Sequence, residues 1–130
     1  QYLHPYLKKS QGCIISILDI HANGKPFGGY TVYNMAKAAH QMMVQSLAIE
    51  LAPDIRVNGI APGINILPME GTEQALTAGT IEKICHAVPL KRIGTPQDIA
   101  QVAVFLAAAP YITGQIIAVD GGRSLTLAGN

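Results

Sequence analysis

Three segments of the chain have the apolar pattern of buried β-strands. Residues 12–20 (GCIISILDI) form a continuous aliphatic run, and residues 54–63 and 114–122 are similar stretches that end in Pro-Gly and Gly-Gly. Continuous rather than alternating apolarity is typical of strands covered on both faces, as in a parallel sheet. We therefore expect three parallel strands.

Helical patterns occupy the segments between these strands. Residues 30–51 contain neither Gly nor Pro, and residues 95–109 begin with an N-cap Thr, a Pro in the first helical position and an Asp in the first turn. A shorter helix is expected over TIEKICHAV, and the glycine-rich residues 21–29 read as a loop. Apolar side chains recur every three or four positions in the long helix, at Val32, Met35, Ala39, Met42, Met43, Leu47 and Leu51.

The alternation of strand and helix predicts an α/β fold, with parallel strands joined through crossover helices. Composition agrees with a packed domain, since 49% of the residues are hydrophobic and 13% are charged. A formal net charge of +1 without a long basic run argues against nucleic acid or a membrane surface as a partner. The two cysteines form no CxxC motif and the four histidines lack ligand spacing, so we expect no metal site. The absence of a signal-peptide pattern favours a cytoplasmic protein.

Tyr33 and Lys37 are the first candidates for chemistry. They are four residues apart on the long helix, and therefore share a face about one turn apart. A free tyrosine has a pKa of about 10, too high for acid–base work at neutral pH. A cation a few ångströms away contributes on the order of 4 kcal/mol, or roughly three pKa units, toward the phenolate. The spacing alone is also common for a surface Tyr beside a Lys.

The surroundings of this pair resemble the C-terminal half of the short-chain dehydrogenase/reductase family. A strand ends near Asp19, a glycine-rich loop leads into the Tyr-Lys helix, and later strands end in NGIAPG and VDGG. The resemblance implies a Rossmann-like fold in which Tyr33 protonates the reduced substrate. It also implies that Lys37 lowers the pKa of Tyr33 and holds the nicotinamide ribose, and that Pro62 and Gly63 cradle the nicotinamide.

Asp19 narrows the resemblance to the pteridine reductase branch. The family's usual catalytic serine, about 13 residues before the tyrosine, is absent, and Asp19 stands 14 residues before Tyr33. LDIHA, GYTVYNMAK and VDGGRSL also resemble that branch, which implies NADPH as cofactor and a pterin or folate-like substrate. An Asp–Tyr pair suits protonation of a ring nitrogen, whereas a Ser–Tyr pair suits a ketone. A carbonyl reductase acting on 3-oxoacyl or small ketone substrates stays open, as does a strand-end turn role for Asp19.

Further site residues follow from their place in the family's pattern. Asn65 lies where many members contact the cofactor with a hydroxyl, although a simple turn role is an alternative. Residues 64–87 match the variable substrate loop, in which Leu67, Pro68 and Met69 are expected to line the pocket. Arg123 is interpreted either as an exposed side chain or as one that reaches a neighbouring subunit.

The sequence lacks the family's TGxxxGxG turn and its cofactor-selecting residue. That turn forms the phosphate site at a helix N-terminus. Residues 1–130 are therefore interpreted as the catalytic half of a single Rossmann-like domain, inactive alone, with a non-catalytic remnant as the alternative. The wide apolar arc of the long helix predicts a homo-oligomer, a dimer or a tetramer, as family members commonly form through this helix.

Overall fold

The computed structural model describes residues 2–22, 24–65 and 77–127. Within them, three parallel strands form one sheet in the order β1-β2-β3, and helices pack against it. The α/β fold with three parallel strands that the sequence predicts is confirmed. No helix in these ranges is long and apolar enough to cross a lipid bilayer. The helices are α1 (His4–Lys9), α2 (Thr31–Glu50), α3 (Ala78–Ala87), α4 (Pro96–Ala108) and α5 (Arg123–Thr126); the strands are β1 (Cys13–Ile17), β2 (Arg56–Pro62) and β3 (Ile116–Val119).

The central strand β2 is the most buried strand of the sheet. Residues 57–61 are all buried, whereas β1 and β3 are only partly covered. Pairing aligns Ile14 with Val57 and Ile60 with Ile117, so all three strands run side by side with their carboxyl ends at one edge. This edge is where open α/β sheets generally bind ligands.

The core lies between β2 and α2. Its buried members are Leu18, Ile20, Val44, Ala48, Val57 and Ala61. The buried face of α2 is therefore narrower than the sequence pattern suggests, because only Val44 and Ala48 are fully covered on this helix. Val32 and Met35, which the periodicity assigns to the apolar face, are 81% and 67% exposed. Periodicity identifies an apolar stripe but not which part of it the sheet covers.

Two polar side chains tie the sheet to the α4–β3 connection. The Arg56 guanidinium donates to the carbonyls of Leu106 and Ala107 at 2.7 and 2.8 Å, and so caps the last turn of α4. The Asn58 side chain, fully buried in β2, donates to the Ile112 carbonyl at 2.9 Å and accepts from the Gln115 N–H at 3.0 Å.

The start of α4 follows the sequence prediction closely. Thr95 accepts from the Asp98 N–H and the Asp98 carboxylate accepts from the Thr95 N–H, which forms a reciprocal capping box. The short α5 was not predicted, because its four residues follow two glycines and have no apolar period of their own. Its place matters nonetheless, since it brings Arg123 to the carboxyl edge of the sheet.

Candidate active site

Asp19 and Tyr33 meet at the carboxyl edge of the sheet. Asp19 lies two residues beyond β1, and Tyr33 lies in the first turn of α2. The Tyr33 hydroxyl donates a hydrogen bond to Asp19 Oδ2 at 2.6 Å. The 14-residue separation, one more than the family's usual spacing, therefore does not prevent contact.

The second oxygen of the Asp19 carboxylate is held by the backbone. Asp19 Oδ1 accepts from the N–H of His21 at 2.8 Å, in a 3-10 helix that spans Ile20–Ala22. This is the turn role that the sequence allows for an aspartate after a strand. One carboxylate thus performs both roles, since one oxygen closes the turn and the other orients the phenol.

Lys37 is tied to the same strand end. Its Nζ donates to the carbonyl of Leu18 at 3.3 Å and lies 5.6 Å from the centroid of the Tyr33 ring. An ammonium group carries three N–H donors, so further donors remain for a ligand at this edge. The helix spacing of Tyr33 and Lys37 places both side chains beside Leu18-Asp19, as a shared helical face requires.

The pKa of Tyr33 moves opposite to the direction that the family resemblance implies. Burial first, then the hydrogen bond to Asp19 and the charge of that carboxylate, raise the pKa of Tyr33 from 10.0 to about 12. The phenol contacts the carboxylate directly, whereas the Lys37 ammonium lies 5.6 Å from the ring centroid. Tyr33 is therefore a protonated phenol at neutral pH and a weaker acid than a free tyrosine.

The pair opens into a cleft of about 550 Å³, within the usual range of about 300–1,000 Å³ for ligand sites. Asp19 and Tyr33 line it together with Pro62, Gly63 and Arg123. The sequence suggests an exposed or intersubunit position for Arg123, but its half-buried side chain lines the cleft of its own chain.

An aromatic stack forms one wall of this cleft. The ring of His21 stacks on Phe27 with a centroid distance of 5.0 Å, and Phe27 stacks on Tyr30 at 4.5 Å. Tyr30 in turn meets Tyr33 edge to face at 6.5 Å. Tyr30 is thus a wall residue of the cleft. Phe27 was not predicted, because its only signal in the sequence is an aromatic residue in a glycine-rich loop.

Pro62 and Gly63 separate this cleft from a second, more apolar one. The second cleft has a volume of about 490 Å³ and also contacts Ile17 and Asn65. Gly63 is required by packing, since a Cβ at this position would lie 2.7 Å from the Cβ of Asp120. The missing side chain therefore lets the Pro62–Gly63 turn pack closely against Asp120.

Asn65 is placed at the second cleft but its side chain faces protein. Within the described part of the chain, its Oδ1 is buried and has no hydrogen-bond partner. A ligand contact from this oxygen needs a rotation of the amide. The three substrate-loop residues Leu67, Pro68 and Met69 lie outside the described residues, so their role stays a prediction.

The residues present fit the nicotinamide-ribose end of a dinucleotide. Lys37 has donors left for ribose hydroxyls, and the Pro62–Gly63 turn lines the same cleft as Tyr33. In the described ranges no cluster of three or more metal-ligating side chains occurs.

Comparison with known proteins identifies the family. Residues 1–124 match the family described as enoyl-(acyl carrier protein) reductase. The chain is 40% identical to pteridine reductase 1 of Leishmania tarentolae over 119 residues, which cover 88% of this chain and 39% of the relative. It is 39% identical to the 3-oxoacyl-[acyl-carrier-protein] reductase FabG of Thermotoga maritima over 127 residues, 94% of this chain and 50% of the relative.

A solved structure agrees with these sequence matches. The short-chain dehydrogenase/reductase (glucose/ribitol dehydrogenase) of Brucella melitensis superposes with a TM-score of 0.77 at 35% identity, over 87% of this chain and 45% of that one. The chain spans about half or less of the length of these proteins. Their names describe two reductases and a dehydrogenase with different substrates. The chain belongs to the short-chain dehydrogenase/reductase family.

Proposed function

We propose that this chain is the catalytic half of an NADPH-dependent reductase that reduces a ring C=N bond of a pterin or folate-like substrate. The observation that carries the proposal is the 2.6 Å hydrogen bond from Tyr33 to Asp19. A carboxylate at this position accepts hydrogen bonds, and each of its oxygens has a second lone pair beyond the bond described here. The amino and amide edge of a pterin supplies N–H donors that match it.

In this mechanism Tyr33 supplies the proton. A nicotinamide held by Lys37, Pro62 and Gly63 would supply hydride to the ring carbon, and the neighbouring nitrogen would then need a proton. A phenol with a pKa of about 12 is a weak acid, but a nitrogen that has just gained electron density is a much stronger base. The Tyr33 O–H, which donates to Asp19 in this structure, would turn from the carboxylate to the substrate nitrogen as it gives up its proton, and the Lys37 ammonium would offset the phenolate charge left behind.

The second candidate is a carbonyl reductase of the same family. The 39% identity to an oxoacyl reductase favours it. A ketone needs a donor for its oxygen and gains little from a carboxylate within reach, because a carboxylate and a carbonyl oxygen both accept. The Asp19–Tyr33 contact is therefore the feature that favours the pterin over the ketone.

Cofactor choice, location and assembly complete the proposal. NADPH rather than NADH follows from the resemblance to pteridine reductases. Cys13 and Cys85 are both free thiols, which agrees with a reducing, cytoplasmic compartment. Three apolar side chains on α2 are exposed: Val32 by 81%, Met35 by 67% and Met42 by 62%. We propose that the helix face they form pairs with a second copy of this chain in a dimer or tetramer.

The test is an assay of the intact reductase that contains this chain. Loss of nicotinamide absorbance is followed with dihydrobiopterin, dihydrofolate and a panel of ketones and 3-oxoacyl thioesters. We expect turnover of the pterins with NADPH. Turnover of ketones alone would replace the proposal with the carbonyl reductase.

A further inference from the structure

Arg123 brings a positive charge into the cleft that contains Asp19. Among the described residues that line this cleft, these two carry the charged side chains. Asp19 is engaged by Tyr33 and by the His21 N–H. Arg123 forms no ion pair with any acidic side chain in the described part of the chain, where the pairs found are Lys8–Asp54 and Arg92–Asp98.

The segment that carries Arg123 is held in place from several sides. The Asp120 carboxylate accepts from the N–H groups of Gly122 and Ser124 at 2.9 and 2.7 Å, which fixes the turn before and into α5. The Ser124 carbonyl accepts from Lys25 Nζ in the loop that precedes α2. The position of Arg123 is therefore set by the fold rather than by a ligand.

The guanidinium is anchored at one edge. Arg123 Nη1 donates to Thr126 Oγ1 at 3.2 Å, and Thr126 Oγ1 lies 3.0 Å from the carbonyl of Ala87. A guanidinium has five N–H donors in a flat fork. One edge bound to Thr126 leaves the remaining donors to bind a planar anion, and a carboxylate fits such a fork through two parallel hydrogen bonds.

The wall of the cleft is aromatic. Phe27, 47% exposed, stacks between His21 and Tyr30, so the ring faces are engaged in the stack and the exposed part of Phe27 is the ring edge. A ligand of this cleft therefore meets acceptor oxygens at Asp19, an aromatic wall and a cation at Arg123. An uncharged bicyclic ring uses the first two of these, and a ring with an attached aryl group and carboxylate uses all three.

We propose that Arg123 determines specificity for substrates that carry an anionic substituent, with folate-type carboxylates preferred over uncharged pterins. The inference rests on the proposed pterin reduction and names the substrate class within it. Removal of one charge-assisted contact is expected to lower the preference for the anionic substrate about tenfold, which corresponds to about 1.4 kcal/mol.

The experiment compares kcat/KM for dihydrofolate and dihydrobiopterin in the intact reductase. Arg123→Gln is expected to lower the dihydrofolate-to-dihydrobiopterin ratio about tenfold, mainly through KM of dihydrofolate. Arg123→Lys is expected to retain part of the ratio, because it keeps the charge but loses the fork. Lys9→Gln is the matched control, since it removes the same unit charge from exposed α1 outside the cleft and should leave the ratio unchanged.

Two results would overturn the assignment. An unchanged dihydrofolate-to-dihydrobiopterin ratio in Arg123→Gln means that Arg123 does not determine substrate specificity. If Arg123→Gln raises the KM for NADPH and lowers kcat/KM equally for both pterins, then the anion that Arg123 binds is the cofactor's phosphate.

A second measurement separates this inference from the proposed function. Calorimetry measures binding of p-aminobenzoyl-glutamate, which carries the aryl and carboxylate groups but no reducible ring. A reductase that turns over neither pterin refutes the pterin proposal. The Arg123 assignment then stands if wild type binds this fragment at least about tenfold more tightly than Arg123→Gln, and falls if the two bind alike.

Discussion

Replacement of Asp19 by Asn tests the origin of the raised Tyr33 pKa. Asn keeps the size of the side chain and an oxygen that accepts from the phenol, but it removes the negative charge. Burial, the largest cause of the shift, remains in the variant. We therefore expect the pKa of Tyr33 to fall by about one, from about 12 to roughly 11, and to stay above the ordinary value of about 10.

The assay is tyrosinate absorbance after a rapid pH jump, read before alkaline unfolding. The difference between each protein and its Tyr33→Phe counterpart isolates this phenol from the other tyrosines. Asp54→Asn is the control, because it removes a carboxylate that pairs with Lys8 instead. A wild-type Tyr33 that titrates at or below 10, or a value unchanged by Asp19→Asn, would refute the reasoning.

The direction of the shift also fixes a pH dependence. A raised pKa means that the folded protein favours the protonated phenol, so the donor is intact below that pKa and is lost as pH rises through it. Tyr33 should therefore produce no alkaline limb in kcat between pH 6 and about 9. A limb in that range that Lys37→Ala shifts upward would show instead that the ammonium controls the phenol.

The remaining predictions concern chemistry, stability and assembly. Tyr33→Phe should lower kcat at least about a hundredfold, whereas Tyr30→Phe, which keeps the stacked ring, should retain most activity; equal losses would contradict the roles given to the two phenols. Arg56→Met should lower the free energy of unfolding by about 2 kcal/mol in denaturant titrations, since two carbonyls of α4 lose a charged donor. Gly59→Ala should lower it by roughly 1–3 kcal/mol, because the new Cβ would lie 2.5 Å from a core leucine methyl. Met42→Glu should reduce the size of the assembly in light scattering, and an unchanged size would remove α2 from the proposed interface.

The secondary structure was predictable because its signals are local. β1 comes from a continuous apolar run, and α4 begins at the Thr95–Asp98 capping pair. Both signals lie within a few residues of each other along the chain. The buried face of α2 was not predictable in the same way. Met35 has the right period for a core position but projects away from the sheet, and only the packing of β2 against Val44 and Ala48 decides which side is covered.

The candidate site was predictable where a motif gives the spacing. Tyr33 and Lys37 share a helical face because they are four residues apart, and the structure places both side chains near the end of β1. The contact between Tyr33 and Asp19 depends on the path of a loop, which a residue count cannot give. Arg123 and Phe27 were missed as cleft residues for the same reason, since each depends on how a short irregular segment folds back over the sheet edge.

The buried amide of Asn58 has a consequence for how the chain aligns during folding. Its donor and acceptor both find partners in the connection that precedes β3, at Ile112 and Gln115. If β3 were to slip along β2 by one residue, that connection would move and the amide would be left in the core without partners. Each unsatisfied buried group costs about 1–3 kcal/mol, so one side chain in the central strand penalises the misaligned sheets that aliphatic strands alone would tolerate.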